Sequence, residues 1–138
     1  MNAEAWTLLA DRSRIVVHHA SLLMGALTQP AQADDGERAA VAARAAAAVD
    51  ELLALLAAAP ELAAHLRTLQ RFEASLVAWR RCLGAANPLE RRYQTALLQH
   101  AAQVLTSCLH VETLAIGECA RVEASGFDSV ARSSHGHA

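Results

Sequence analysis

Apolar side chains recur three and four residues apart along most of this chain, a spacing that only stacked helices can bury. The first series runs Trp6, Leu9, Ser13, Val16, Ala20, Leu23 and Leu27, widened by Val17 and Met24. It predicts a helix over about residues 4–27, laid lengthwise along a partner. Thr28 to Gly36 breaks the pattern, with Pro30 and Gly36 as punctuation. A second helix, about 36–59, starts at Asp34 or Asp35, where Asp34 and Glu37 have the spacing of a capping box. It continues through an alanine run into Val49, Leu52, Leu53 and Leu56. Pro60 then either ends this helix or kinks a longer one, and the sequence alone leaves both open.

A third helix, about 61–83, carries Leu69, Phe72, Leu76, Trp79 and Leu83 on one face, with His65 one step upstream and Gly84 as the stop. Asn87-Pro88-Leu89-Glu90 then reads as a helix start, with Asn as cap and Pro at the first helical position. The fourth helix, about 88–124, has two adjacent stripes. One is Leu97, Ala101, Val104, Cys108, Val111 and Ala115; the other is Leu98, Ala102, Leu105, Leu109, Glu112 and Ile116. Together they make an apolar face broader than one partner helix covers. Gly126 fits a stop, and 127–138 reads as a short, flexible C-terminal tail. The fold class expected is all-α: an elongated antiparallel bundle of three to four long helices over 1–126, without strands.

Composition agrees. The 138 residues suffice for one domain, and they include 33 Ala and 20 Leu against 2 Phe, 1 Tyr and 2 Trp. Net charge is −2, and all twelve basic residues are Arg, so no polybasic field exists to recruit nucleic acid. Three cysteines, Cys82, Cys108 and Cys119, have the spacing of neither a disulfide framework nor a zinc knuckle, which suits a reducing compartment. Residues 15–33 are free of formal charge and end in Ala31-Gln32-Ala33, mimicking a signal peptide behind Arg12 and Arg14. Glu4, Asp11, the adjacent His18 and His19, Gln29 and Pro30 argue against that reading. A cytoplasmic protein without direct membrane insertion is expected.

Catalytic and metal patterns fail on spacing. No Glu is followed by His three residues later, as a di-iron bundle requires, and no His pair is four apart, as in a zincin. His18, His65, His100 and His110 read as rim or partly buried residues, and His135-Gly136-His137 as at most a weak transition-metal ligand. Cys108 and His110, two apart on a helix, point to nearly opposite sides and make no dyad, so Cys108 reads as a small core residue. Glu112 and Glu73 read as rim positions paired with arginines, or as polar contacts to a partner. No enzyme activity, cofactor or metal is expected; a surface that binds other proteins is.

The C-terminal third resembles the FlgN-type flagellar export chaperones, which with FliT-like proteins are helical type III secretion chaperones. Their last helix carries an Asn/Gln-rich turn before a Leu-Leu-like pair, then an Ala-Leu pair. Gln99-His100-Ala101-Ala102-Gln103-Val104-Leu105 and Ala115-Ile116 stand in those places, and Phe127-Asp128-Ser129-Val130-Ala131-Arg132-Ser133-Ser134 resembles the family's tail. Ala101-Ala102 replaces an Asn-Gly, Phe127 a Tyr and Ala131 a Gly. The resemblance implies a cytoplasmic chaperone that binds C-terminal helices of hook–filament junction proteins, prevents premature polymerisation and delivers them to the export gate. For such a client the broad apolar face of the fourth helix offers contacts at Val104, Leu105, Leu109, Val111 and Ile116, and the resemblance implies export-gate docking at Phe127. A helical adaptor or secretion chaperone for another client, a metal-binding helical bundle and a homodimer remain alternatives.

Overall fold

The computed structural model describes residues 1–29, 34–83 and 87–135, with side chains to residue 126. Among them are four α-helices and no strand: α1 (Ala3–Thr28), α2 (Asp35–Leu56), α3 (Ala63–Cys82) and α4 (Glu90–His135). A 3₁₀ turn, Pro60–Leu62, leads into α3. Each helix packs against the next, and α4 closes the ring against α1. The chain is therefore an antiparallel four-helix bundle, with the apolar stripes turned to a common axis.

Local chemistry explains the helix ends. The Asn2 side chain accepts the Ala5 backbone N–H at 2.8 Å and opens α1. Asp34 does the same for Glu37 at 2.7 Å and opens α2. Pro60 resolves the open choice: α2 ends at Leu56, and Pro60 opens the 3₁₀ turn before α3. Asn87 Oδ1 accepts the Leu89 N–H at 2.9 Å, but Pro88 and Leu89 form a turn and α4 begins at Glu90. Helix α4 also passes through Gly126, expected as its stop, and its backbone runs helically to His135. Nothing lies within 4 Å of a Cβ built at Gly126, and its backbone is helical, so no contact or positive φ halts the helix there. The punctuation at Pro30 and Gly84 lies outside the described residues.

The core follows the first stripe of each helix. Trp6, Leu9, Ser13, Val16, Ala20, Leu23 and Leu27 are all buried on α1, and the buried Ser13 hydroxyl donates to the Leu9 carbonyl at 2.8 Å. On α3 the stripe is Leu69, Phe72, Leu76 and Trp79, ending at Cys82 rather than Leu83. At that end of the bundle Arg38 of α2 lies 6.0 Å over the Trp79 ring, within reach of a cation–π attraction. The same guanidinium pairs with Asp35 at 2.6 Å and with Glu90 at 3.5 Å, tying the starts of α2 and α4 together over α3.

Glu73 departs from expectation. Its neighbour is the carboxyl of Asp50 on α2, not an arginine, and a hydrogen bond with Asp50 pushes Glu73 up to about 7, with burial adding to the effect. A folded-state value above the unfolded one means that the native state holds a proton the unfolded chain has lost. Stability therefore falls as pH rises through the window from about 4.5 to about 7. Glu73→Gln should raise the melting temperature at pH 8 and leave it unchanged at pH 4; thermal denaturation at both pH values checks this. A second test concerns Gly25, in the interior of α1, where an added Cβ meets nothing within 4 Å. Gly25→Ala should stabilise the bundle by about 0.5–1 kcal/mol in urea denaturation.

Candidate interaction face

The two stripes of α4 have different fates. Leu97, Ala101, Val104, Cys108, Val111 and Ala115 are each 0% exposed and fill the bundle axis. The second stripe lies on the α4 flank beside α1 and is only partly covered: Leu98 and Leu105 are half-buried, while Leu109 and Ile116 are both 52% exposed. Apart from Leu97, the buried stripe holds the smaller side chains, which suit a close-packed core. The larger Leu and Ile side chains are left at the edge, where a solvated flank has room for them. Three contacts set α1 against this flank. Thr7 Oγ1 lies 3.3 Å from Cys119 Sγ, Arg14 Nε pairs with Glu112 Oε1 at 3.1 Å, and Gln94 Nε2 donates to the Leu27 carbonyl at 3.1 Å.

These positions divide the expected client contacts. Leu105, Leu109 and Ile116 share one accessible flank, with Glu112 on its rim held by Arg14, as a rim carboxylate should be. Val104 and Val111 do not belong to it, because both are fully buried in the core and serve packing. The apolar breadth of the helix, read from sequence as one face, is a core stripe plus an edge stripe. Position 127 continues the α4 helix, and the Phe127 side chain lies outside the described residues, as do the side chains of His135 and His137.

The opposite flank of α4, toward α3, is polar. His65 Nδ1 lies 2.5 Å from Ser107 Oγ, and His100 Nδ1 is hydrogen-bonded to Ser75 Oγ. Each pair joins α3 to α4, and together they fix the antiparallel register, because a one-turn slip would separate both. Burial, and then the nearby His110, hold His65 below its ordinary value. Cys108, buried in the core, has its thiol pushed up to about 12 by burial, so it carries no thiolate nucleophile at neutral pH. Among the described residues no three His, Cys, Asp or Glu side chains cluster as a metal set, and no helix is long and apolar enough to cross a membrane.

Sequence reasoning missed the His–Ser pairs. His65 was visible on the stripe-bearing side of α3, but its partner 42 residues away is set by helix register, which no local pattern encodes. No family model, curated protein or solved structure matches the chain.

Removing His65 would leave the buried Ser107 hydroxyl without its partner. His65→Ala should cost about 1–2 kcal/mol in chemical denaturation. Val104→Asp should cost far more, about 3 kcal/mol or above, because it buries a charge among apolar side chains. Leu109→Asp, on the exposed edge, should stay within about 0.5 kcal/mol of the parent chain.

Proposed function

We propose that this chain is a cytoplasmic helical export chaperone of the FlgN type. It holds C-terminal helices of hook–filament junction proteins unpolymerised and delivers them to the export gate. The observation that carries this reading is the edge stripe beside α1, with Leu105 half-buried and Leu109 and Ile116 exposed, on a helix whose other stripe already fills the core. An amphipathic helix is recognised through apolar anchors on one helix face, and this stripe offers anchors at positions 105, 109 and 116, four and seven residues apart with Glu112 between the last two. Covering a half-exposed Leu or Ile contributes roughly 1 kcal/mol each, so the stripe supplies part of a micromolar interaction and the client's remaining contacts the rest. The resemblance of the C-terminal third to that family supports the choice of client.

Calorimetric titration with the C-terminal segment of a hook–filament junction protein tests the proposal. Saturable 1:1 binding at micromolar affinity or tighter, about −8 kcal/mol, is expected. The double variant Leu109→Asp with Ile116→Asp should weaken it at least about tenfold while the melting temperature holds. Absence of binding by the folded parent chain contradicts the reading. A stable dimer on a sizing column that ignores the segment assigns the stripe to a second copy instead.

A further inference from the structure

The α3–α4 groove, on the flank of α4 opposite the apolar edge stripe, has a chemistry of its own. Its walls are Ala64, His65, Thr68 and Arg71 from α3 and Gln103, Thr106, Ser107 and His110 from α4, around a space of about 450 Å³. The α3 residues recur at three-and-four spacing and so line one side of that helix. The His65 and His110 rings meet edge to face with centroids 6.1 Å apart. No carboxylate lines the groove, and among the described residues none pairs with Arg71. The groove thus gathers one permanent cation, two protonatable imidazoles and the Gln103 amide with no compensating negative charge.

The existing hydrogen bonds sharpen this. Thr68 and Thr106 donate their hydroxyl protons to the Ala64 and Ala102 carbonyls, and Ser107 is engaged by His65 Nδ1. That contact fixes the His65 ring and leaves its Nε2 for another partner. The side chains left to donate are then Arg71, Gln103, His65 through Nε2, and His110. A guanidinium and two imidazoles lining one groove are a donor set for a compact multivalent oxyanion, which guanidinium binds in a two-pronged manner. The same Arg71 charge, with no carboxylate ligand nearby, opposes a divalent cation between the two histidines.

We propose that this groove binds a phosphate group, with Arg71 as the principal anchor and His65 and His110 closing around it. The phosphate is either the free anion or a monoester, since both present the same oxygens. The site is independent of the client-binding reading, as it shares no residue with the edge stripe.

The test follows the imidazole protons of the full chain by NMR across pH 5 to 8, at constant ionic strength, in chloride, inorganic phosphate, O-phosphoserine or acetate. Because a bound anion favours protonated imidazole, His65 and His110 should titrate about 0.5 higher in 10 mM phosphate than in chloride, a bound-state linkage effect. The exposed His18 should not move, and acetate should produce less than half the rise. A response to phosphate but not phosphoserine supports the free anion; an equal or larger response to phosphoserine supports an ester. Arg71→Gln, at an exposed position and checked for helicity by circular dichroism, should abolish the rise. The proposal is overturned if neither phosphate probe moves His65 and His110, if His18 moves equally, or if the rise survives in Arg71→Gln. It is equally overturned if zinc broadens both histidines at stoichiometric concentration while phosphate leaves them unchanged.

Discussion

The packing of α1 against α4 is the interaction on which the rest of this bundle depends. It is the most extensive of the helix pairings, and it runs from Thr7 beside Cys119, through Arg14 with Glu112, to Leu27 beside Gln94. These contacts set the register of the first and last helices and so close the ring. On α4 the small side chains Ala101, Cys108 and Ala115 are fully buried, as are Leu9, Leu23 and Leu27 on α1. Once that seam is closed, the rotation of α4 about its axis is fixed, and with it which residues are core and which are surface.

That rotation divides α4 into three faces with different chemistry. The inward face is apolar and sealed. The face toward α3 is polar and carries two His–Ser pairs that reinforce the register. The edge beside α1 keeps Leu109 and Ile116 half in water, a cost the fold does not require, because neither contributes to the sealed core. An apolar edge retained on the outside of a complete core is a surface suited to a partner, which is why the proposed function rests on it.

Much of this was legible in the sequence because three-and-four spacing is a direct record of burial. The α1 stripe from Trp6 to Leu27 and the α4 stripe from Leu97 to Ala115 are buried residue for residue. What spacing cannot decide is which of two neighbouring stripes on α4 turns inward, since both are apolar, so from sequence Val104 and Val111 read as one face with Leu109 and Ile116. The roles of Pro60, which opens a 3₁₀ turn, and of Gly126, which α4 passes through, also lie beyond local reading. Proline tolerates both a kink and a first turn, and a glycine stops a helix only where the surrounding contacts favour a turn. Pairings across helices, Asp50 with Glu73 and His65 with Ser107, depend on register and leave no local trace.

The central claim is that α4 presents Leu109 and Ile116 to a helical client while Val104 and Val111 remain sealed. Hydroxyl-radical footprinting read by mass spectrometry, with and without a saturating C-terminal segment of a hook–filament junction protein, measures both halves at once. The account predicts strong labelling of Leu109 and Ile116 in the free chain, protection of both by the segment, and negligible labelling of Val104 and Val111 throughout. Equal labelling of Leu109 and Ile116 in the two states, or ready labelling of Val104 and Val111 in the free chain, would contradict it.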